Sequence, residues 1–452
     1  MTGGEPCGAD RAKIAHGPAK IKSGPFRQLI LPTICATFEG MIITGTGDVK
    51  PLVLLFGLLV CTGESGSQTL PDSLIANALR VSYRHLEASV LEVRDSTRFP
   101  SYAPHDLQWS YFNSSGWTSG FYPGCLWLAY ELSGKDEFKH WARKWTAGLE
   151  KEKDNTGTHD LGFMFGCSFG NAIRDVSHNE ALAYKGTLLR AAITLDKRYS
   201  PKVGMLRCYW DEPPFSRDTT LFPVVVDIMM NLELLFWGSE NGAPQSLREH
   251  AIRHALNTYR DFVRPDGSTY HVVRYNKDSG TVFNKGQLQG QNEHSTWTRG
   301  HAWFIYGMTV CYRYTKDEGF LVKACALADY FLRRLTPDNV SAWDFDSLPE
   351  FGNVKDASAT AIVASALFEL RAYVHDPGQK RKYLEKATAM LAALCSKEYL
   401  AENERTNAIL LHSTQYLTQP GNQNTDKPAI FADYYFLEAI KRYLAINHPP
   451  GN

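Results

Sequence analysis

Asp227 stands in an apolar run, with three valines before it and Ile228, Met229 and Met230 after it. An ionised carboxylate buried without a partner costs several kcal/mol, so such a group takes up a proton or acquires a dedicated partner. A raised pKa is what a general acid needs near neutral pH, which makes Asp227 the first candidate for acid–base chemistry. The competing explanation is a helix-terminal carboxylate satisfied by backbone donors, with Pro223 opening the helix. A second carboxylate in similar company shifts the balance. His159 and Asp160 precede a short apolar, glycine-punctuated stretch, Leu161 to Gly166. Two carboxylates on different elements, each beside aromatic residues, suggest an acid/base pair in a sugar-sized cleft.

The composition fits that chemistry. Lys and Arg together number 48 in the 452 residues, equal to Asp and Glu, and this balance argues against nucleic acid or a membrane surface as the main partner. Aromatic residues make up 12%, with Trp and Tyr next to Gly, Asp and His. Flat rings cover the apolar face of a sugar while polar neighbours hold its hydroxyls. The nine cysteines include no CxxC, and His and Cys are too scattered for a zinc site. No phosphate-binding glycine loop is present, so neither a metal nor a cofactor is expected.

Residues 1–70 are rich in Gly, Pro, Ser and Thr and lack helical periodicity, so this extension is expected to be disordered, with 71–452 forming the catalytic domain. Pro51 to Cys61 has the length of a signal-peptide core, but suits that role only if translation begins at Met41. The product is then secreted, with Asn113 and Asn339 as glycosylation acceptors; otherwise it is cytoplasmic. Stable membrane insertion is not expected.

The elements that must position the two carboxylates are helices. Amphipathic stretches separated by Gly/Pro/Asp loops run from Ser73–Val93 through Asp136–Leu149 and Thr298–Tyr314 to Ile430–Leu444. They fall into pairs, an apolar helix such as Ala357–Val374 followed by a more charged one such as Gln379–Leu394. An all-round apolar helix belongs to an inner layer and a one-sided one to an outer layer. Polar-aromatic clusters precede the inner helices, at Trp117, Asp160, Asp227, Arg299, Asp356 and Asp433. Meeting at one end of a closed double ring, they form one central cleft; an open solenoid is the alternative.

Gly116–Tyr130, Thr158–Phe163, Val226–Asn231, Asp266–His271 and Ser295–Trp303, in this order, resemble the unsaturated glucuronyl hydrolases, glycoside hydrolase family 88. The resemblance runs from about residue 72 to 445 and implies an all-α (α/α)6 barrel. It also implies removal of the unsaturated 4-deoxy uronic acid from the non-reducing end of lyase-generated oligosaccharides, by hydration of the C4=C5 enol ether. Asp227 then matches the family's general acid/base and Asp160 the second essential carboxylate. His159 and His271 match histidines that contact the unsaturated ring. Gln289 and Arg299 match polar groups near its carboxylate and hydroxyls, Trp303 follows one helical turn beyond Arg299, and Trp117 and Trp210 match stacking walls. An unsaturated rhamnogalacturonyl hydrolase acting on pectin fragments is the nearest rival, with an epimerase or a catalytically inactive sugar-binding relative behind it.

Overall fold

The computed structural model describes residues 69–103, 107–208, 218–415 and 425–448. Trp210 lies outside these residues, as do Pro51–Cys61 and almost all of the 1–70 extension. Among the described residues no helix is long and apolar enough to cross a membrane.

Eleven α-helices and one π-helix alternate between two layers. The outer ones are α1 (Asp72–Val93), α3 (Asp136–Leu149), α4 (His178–Asp196), α6 (Ser246–Phe262), α8 (Glu318–Arg334) and α10 (Pro377–Leu394). Between them in the chain come the inner ones: α2 (Phe121–Ser133), the π-helix Gly162–Gly170, α5 (Ile228–Glu240), α7 (Thr298–Thr315), α9 (Ala357–Tyr373) and α11 (Ile430–Asn447). The sequence pattern dictates the layers. In α3 the buried residues are Phe138, Ala142, Trp145, Thr146 and Leu149, one stripe at helical spacing. In α9 burial is continuous from Ala357 to Phe368, as its Ala, Ile, Val and Leu content demands.

The inner ring is closed. α2 packs on the π-helix, the π-helix on α5, and then α5 on α7, α7 on α9 and α9 on α11, which returns to α2. This is the (α/α)6 barrel, and closure excludes the solenoid. Because an outer helix intervenes between successive inner ones, all six inner helices run the same way and their N-termini share one end of the ring.

Strands are short. β1 (Phe99–Pro100) pairs with β2 (Tyr111–Phe112), and β3 (Tyr199–Ser200) with β4 (Met205–Leu206). β5 (Leu221–Val225), β6 (Val272–Asn276) and β7 (Val282–Gly286) form an antiparallel sheet in that order. Pro223 therefore lies within a strand and does not open a helix; β5 is an edge strand, where the missing N–H is tolerated.

Inner helices approach closely where side chains vanish. A Cβ on Gly307 of α7 would fall 2.6 Å from the Met229 Cβ and 2.9 Å from its carbonyl oxygen on α5. Gly307→Ala is accordingly expected to lower stability by about 1–3 kcal/mol through overpacking. Denaturant unfolding, with an unchanged m-value, checks this.

Candidate active site

The sheet brings Asp227 to its partner. The β5–β6 ladder pairs Val225 with Val272 and continues with the Val226 N–H donating to the His271 carbonyl at 3.0 Å. Asp227 follows directly, at the N-cap position of α5. Its side chain makes no capping hydrogen bond, whereas those of Asp317, Asp356 and Asp376 accept backbone N–H groups at the starts of α8, α9 and α10. Ordinary capping therefore does not explain Asp227. Its carboxyl instead faces His271, with Nε2 3.2 Å from Oδ2, a contact still off-axis for a full hydrogen bond. Catalytic contacts often tighten only around substrate.

His271 is held from behind. Its Nδ1 accepts from the backbone N–H groups of Leu288 at 3.3 Å and Gln289 at 3.2 Å, so the ring proton belongs on Nε2, facing Asp227. The ring lies 4.5 Å from that of Trp297.

Asp160 is buried at the start of the π-helix. The Thr158 hydroxyl donates to its Oδ2 at 3.3 Å, and His159 Nε2 stands 3.4 Å from Oδ1. Burial, and then the Asp227 charge, push its carboxyl up to about 7. For Asp227 burial also acts upward, but the contact with the Nε2–H side of His271 outweighs it and leaves the group below the ordinary aspartate value. The expectation from sequence is reversed: Asp160, not Asp227, is the raised carboxyl. The reason is the dedicated partner that a linear reading of the apolar run does not contain. His159 is pulled down to about 3 by burial and by Arg198, so it is neutral at ordinary pH.

The other expected ligands divide. Trp117 lines a cavity of about 560 Å³ together with Tyr111, Phe112, Asn113, Asn155 and Thr158. Thr158, one of its lining residues, also donates to the Asp160 carboxyl. Trp303 is 1% exposed, its ring packed 5.1 Å from Phe163 and 5.4 Å from Tyr435. It is floor beneath the site and offers no open stacking face. Gln289 is half-buried and fixed at three atoms: its N–H on His271, its carbonyl accepting from Trp343 Nε1 at 3.1 Å, and Oε1 accepting from Arg299 at 3.3 Å. Its side-chain NH2 is therefore left as a donor.

Arg299 differs most from expectation. Its guanidinium donates to Asp356 Oδ2 at 2.6 Å, to the Gln415 carbonyl at 2.9 Å and to the Thr414 carbonyl. It lies between Trp297 and Phe431, at 4.7 and 5.0 Å from the ring centres. The fork expected for a uronate is occupied by protein. Asp356, read from sequence only as part of a polar-aromatic cluster, is its buried counter-ion.

A second cavity of about 470 Å³ lies toward the C-terminal ends of the inner helices, lined in part by Glu233, Arg313, Glu438 and Arg442. Its charges pair with one another: Arg313 with Glu233 and Glu369, Arg442 with Glu369 and Glu438. It reaches back to Gly162, Phe163 and Met230, but neither Asp160 nor Asp227 lines it.

A double ring of helices with one buried and one half-buried carboxylate at one mouth is the architecture of the (α/α)6 glycoside hydrolases. No family model matches the sequence. An unsaturated glucuronyl hydrolase of Formosa agariphila is 42% identical over 402 residues, covering 86% of this chain and 97% of that protein. An unsaturated chondroitin disaccharide hydrolase of Streptococcus pyogenes serotype M1 is 32% identical over 76% of this chain and 85% of its own. The crystal structure of an unsaturated glucuronyl hydrolase specific for heparin superposes with a TM-score of 0.77 at 35% identity, covering 83% of this chain and 98% of that one. The chain belongs to the unsaturated glucuronyl hydrolases.

Arg299→Lys keeps the charge but loses the planar fork, leaving Asp356 and two buried carbonyls poorly paired. It is expected to cost about 3 kcal/mol or more of stability, the scale of a broken buried pair. The measurement is a denaturant melt beside KM; unchanged stability with a large rise in KM would return Arg299 to the substrate.

Proposed function

We propose that this chain removes the unsaturated 4-deoxy uronic acid from the non-reducing end of lyase-generated, glycosaminoglycan-type fragments by hydrating the C4=C5 enol ether. The observation that carries the reading is the pair of carboxylates biased in opposite directions at the ring mouth. The relatives named above carry glucuronyl or chondroitin substrate names, which favours glycosaminoglycan over pectin fragments. Six inner-helix N-termini share this mouth, and their positive ends favour an anionic sugar.

An enol ether is electron-rich at C4. A carboxylic acid delivers a proton there, and oxocarbenium character develops at C5. Water adds at C5 as a carboxylate takes its proton, so one water is consumed and the acid is regenerated. The hemiketal opens to a ketone, and collapse at C1 frees the shortened sugar. The chemistry needs one proton shared between two carboxyl groups, and the bias of Asp160 upward and Asp227 downward supplies that state at neutral pH. Below about pH 7 Asp160 holds the proton, which passes through Asp227 to C4. Asp227, with 17% of its side chain exposed against 5% for Asp160, is the carboxyl that meets substrate and water. Trp117 forms a wall for the sugar, while the Gln289 NH2 and neutral His159 offer polar contacts.

Loss of C=C absorbance with an unsaturated chondroitin or hyaluronan disaccharide tests the reaction, with an unsaturated pectin fragment in parallel; turnover of the pectin fragment alone would assign the rival specificity. Asp227→Asn and Asp160→Asn are each expected to lower kcat by about 10³-fold or more. The double variant should be little worse than the poorer single one, because the two act as a unit. Multiplicative losses would separate their tasks.

The shared proton also sets the pH profile. Asp160 is raised, so its protonated form is kept below about 7 and lost as pH rises through that value. The rate constant kcat/KM is expected to fall tenfold per pH unit above this point. A profile flat to pH 9 would contradict the one-proton pair.

A further inference from the structure

Asn231 lies one helical turn beyond Asp227 on α5 and is fully buried. Its Oδ1 accepts from the Phe163 N–H at 2.9 Å, in the first turn of the π-helix that Asp160 leads into. Its Nδ2 donates to the Asp227 carbonyl at 3.3 Å, and its side chain favours the ionised form of the Asp160 carboxyl. One amide therefore touches both carboxylate-bearing segments, which are 68 residues apart where it meets Phe163. The close approach depends on Gly162. A Cβ there would fall 2.4 Å from the Asn231 Cα and 2.7 Å from its Oδ1, too near for any side chain unless the backbones separate.

We propose that Asn231, admitted by Gly162, is a positioning residue that braces the π-helix against α5 and so sets the separation of Asp160 and Asp227. It carries no proton to the substrate. The inference rests on the two aspartates being the acid/base pair. A misplacement of about 1 Å at reacting groups can cost about 10²-fold in rate, so a brace at this point bears directly on kcat. It also bears on the proton, because an amide donor to a carboxylate favours the ionised form. The other groups around Asp160 are Asp227 and His271 from the α5 and β6 side, His159 and Thr158 from its own segment, and Arg198 after α4. His254 of α6 stands behind His159.

The full-length enzyme with an unsaturated chondroitin disaccharide provides the test, using Asn231→Ala, the near-isosteric Asn231→Asp and Gly162→Ala. Asn231→Asp keeps the acceptor for the Phe163 N–H, so it preserves the helix contact, but it loses the amide donor. Asn231→Ala and Gly162→Ala are expected to lose about 10²-fold in kcat with little change in KM, whereas Asn231→Asp, which keeps the contact with Phe163, should retain more of kcat than Asn231→Ala. In Asn231→Ala the basic limb of kcat/KM should move to higher pH, because the amide that favours ionised Asp160 is gone. A purely structural residue would lower the melting temperature and leave that limb in place. Folded Asn231→Ala with wild-type kcat and an unmoved limb overturns the inference. Asp227→Asn and Asp160→Asn, run alongside, separate the two ideas: if they stay active the pair itself is wrong, and if they are inactive beside a normal Asn231→Ala only the brace is wrong.

Discussion

Two carboxyl groups stand at one mouth of the ring, the proposed chemistry asks them to share one proton, and most of the site's geometry bears on that constraint. Burial alone would drive both toward the neutral form, leaving an acid and no base. The asymmetry comes from unequal company. Asp227 has His271 in contact and the more open position, while Asp160 has a hydroxyl, a neutral histidine and deeper burial. The partner histidine is itself held by two backbone donors, so its proton is committed to the side facing Asp227.

The small sheet and the π-helix exist in the fold as instruments of that arrangement. A helix-only barrel would place the inner N-termini around a ring but would not fix His271 against Asp227. The β5–β6 ladder does so by register, since successive residues of paired strands sit opposite one another at fixed spacing. The wider π turn carries Asp160 to the same place from the neighbouring segment, and π turns recur at functional sites. Asn231 spans the interval between the two.

Around this centre the fold divides labour. Arg299, Asp356 and Gln289 form a buried chain joining α7, the start of α9 and the loop after β7, with the carbonyls of Thr414 and Gln415 drawn in. The chain fixes the Gln289 amide that faces the cleft. At the far end of the ring Arg313 and Arg442 pair with glutamates of α5, α9 and α11. Charge at one end holds the ring together, and charge at the other belongs to the proposed acid/base pair.

The sequence by itself determined the layers and singled out two candidate carboxylates. Helical periodicity is a local property, so the boundaries of α3 and the start of α7 could be read directly, and the alternation of apolar with one-sided helices specified a double ring. Asp160 and Asp227 stood out because a charge among apolar residues demands an explanation wherever it occurs. The tertiary structure alone decided what each group does. Arg299 follows a motif that suggests a uronate ligand, yet its partners other than Gln289 lie 57 to 116 residues away and no local pattern encodes them. Leu221 to Val225 reads equally as strand or buried helix, because a short apolar run has no distinguishing period, and only pairing with β6 resolves it. The order of the two carboxyl pKa values has the same origin. It depends on which charges and dipoles surround each group in space, and those neighbours come from segments that the chain brings together only on folding.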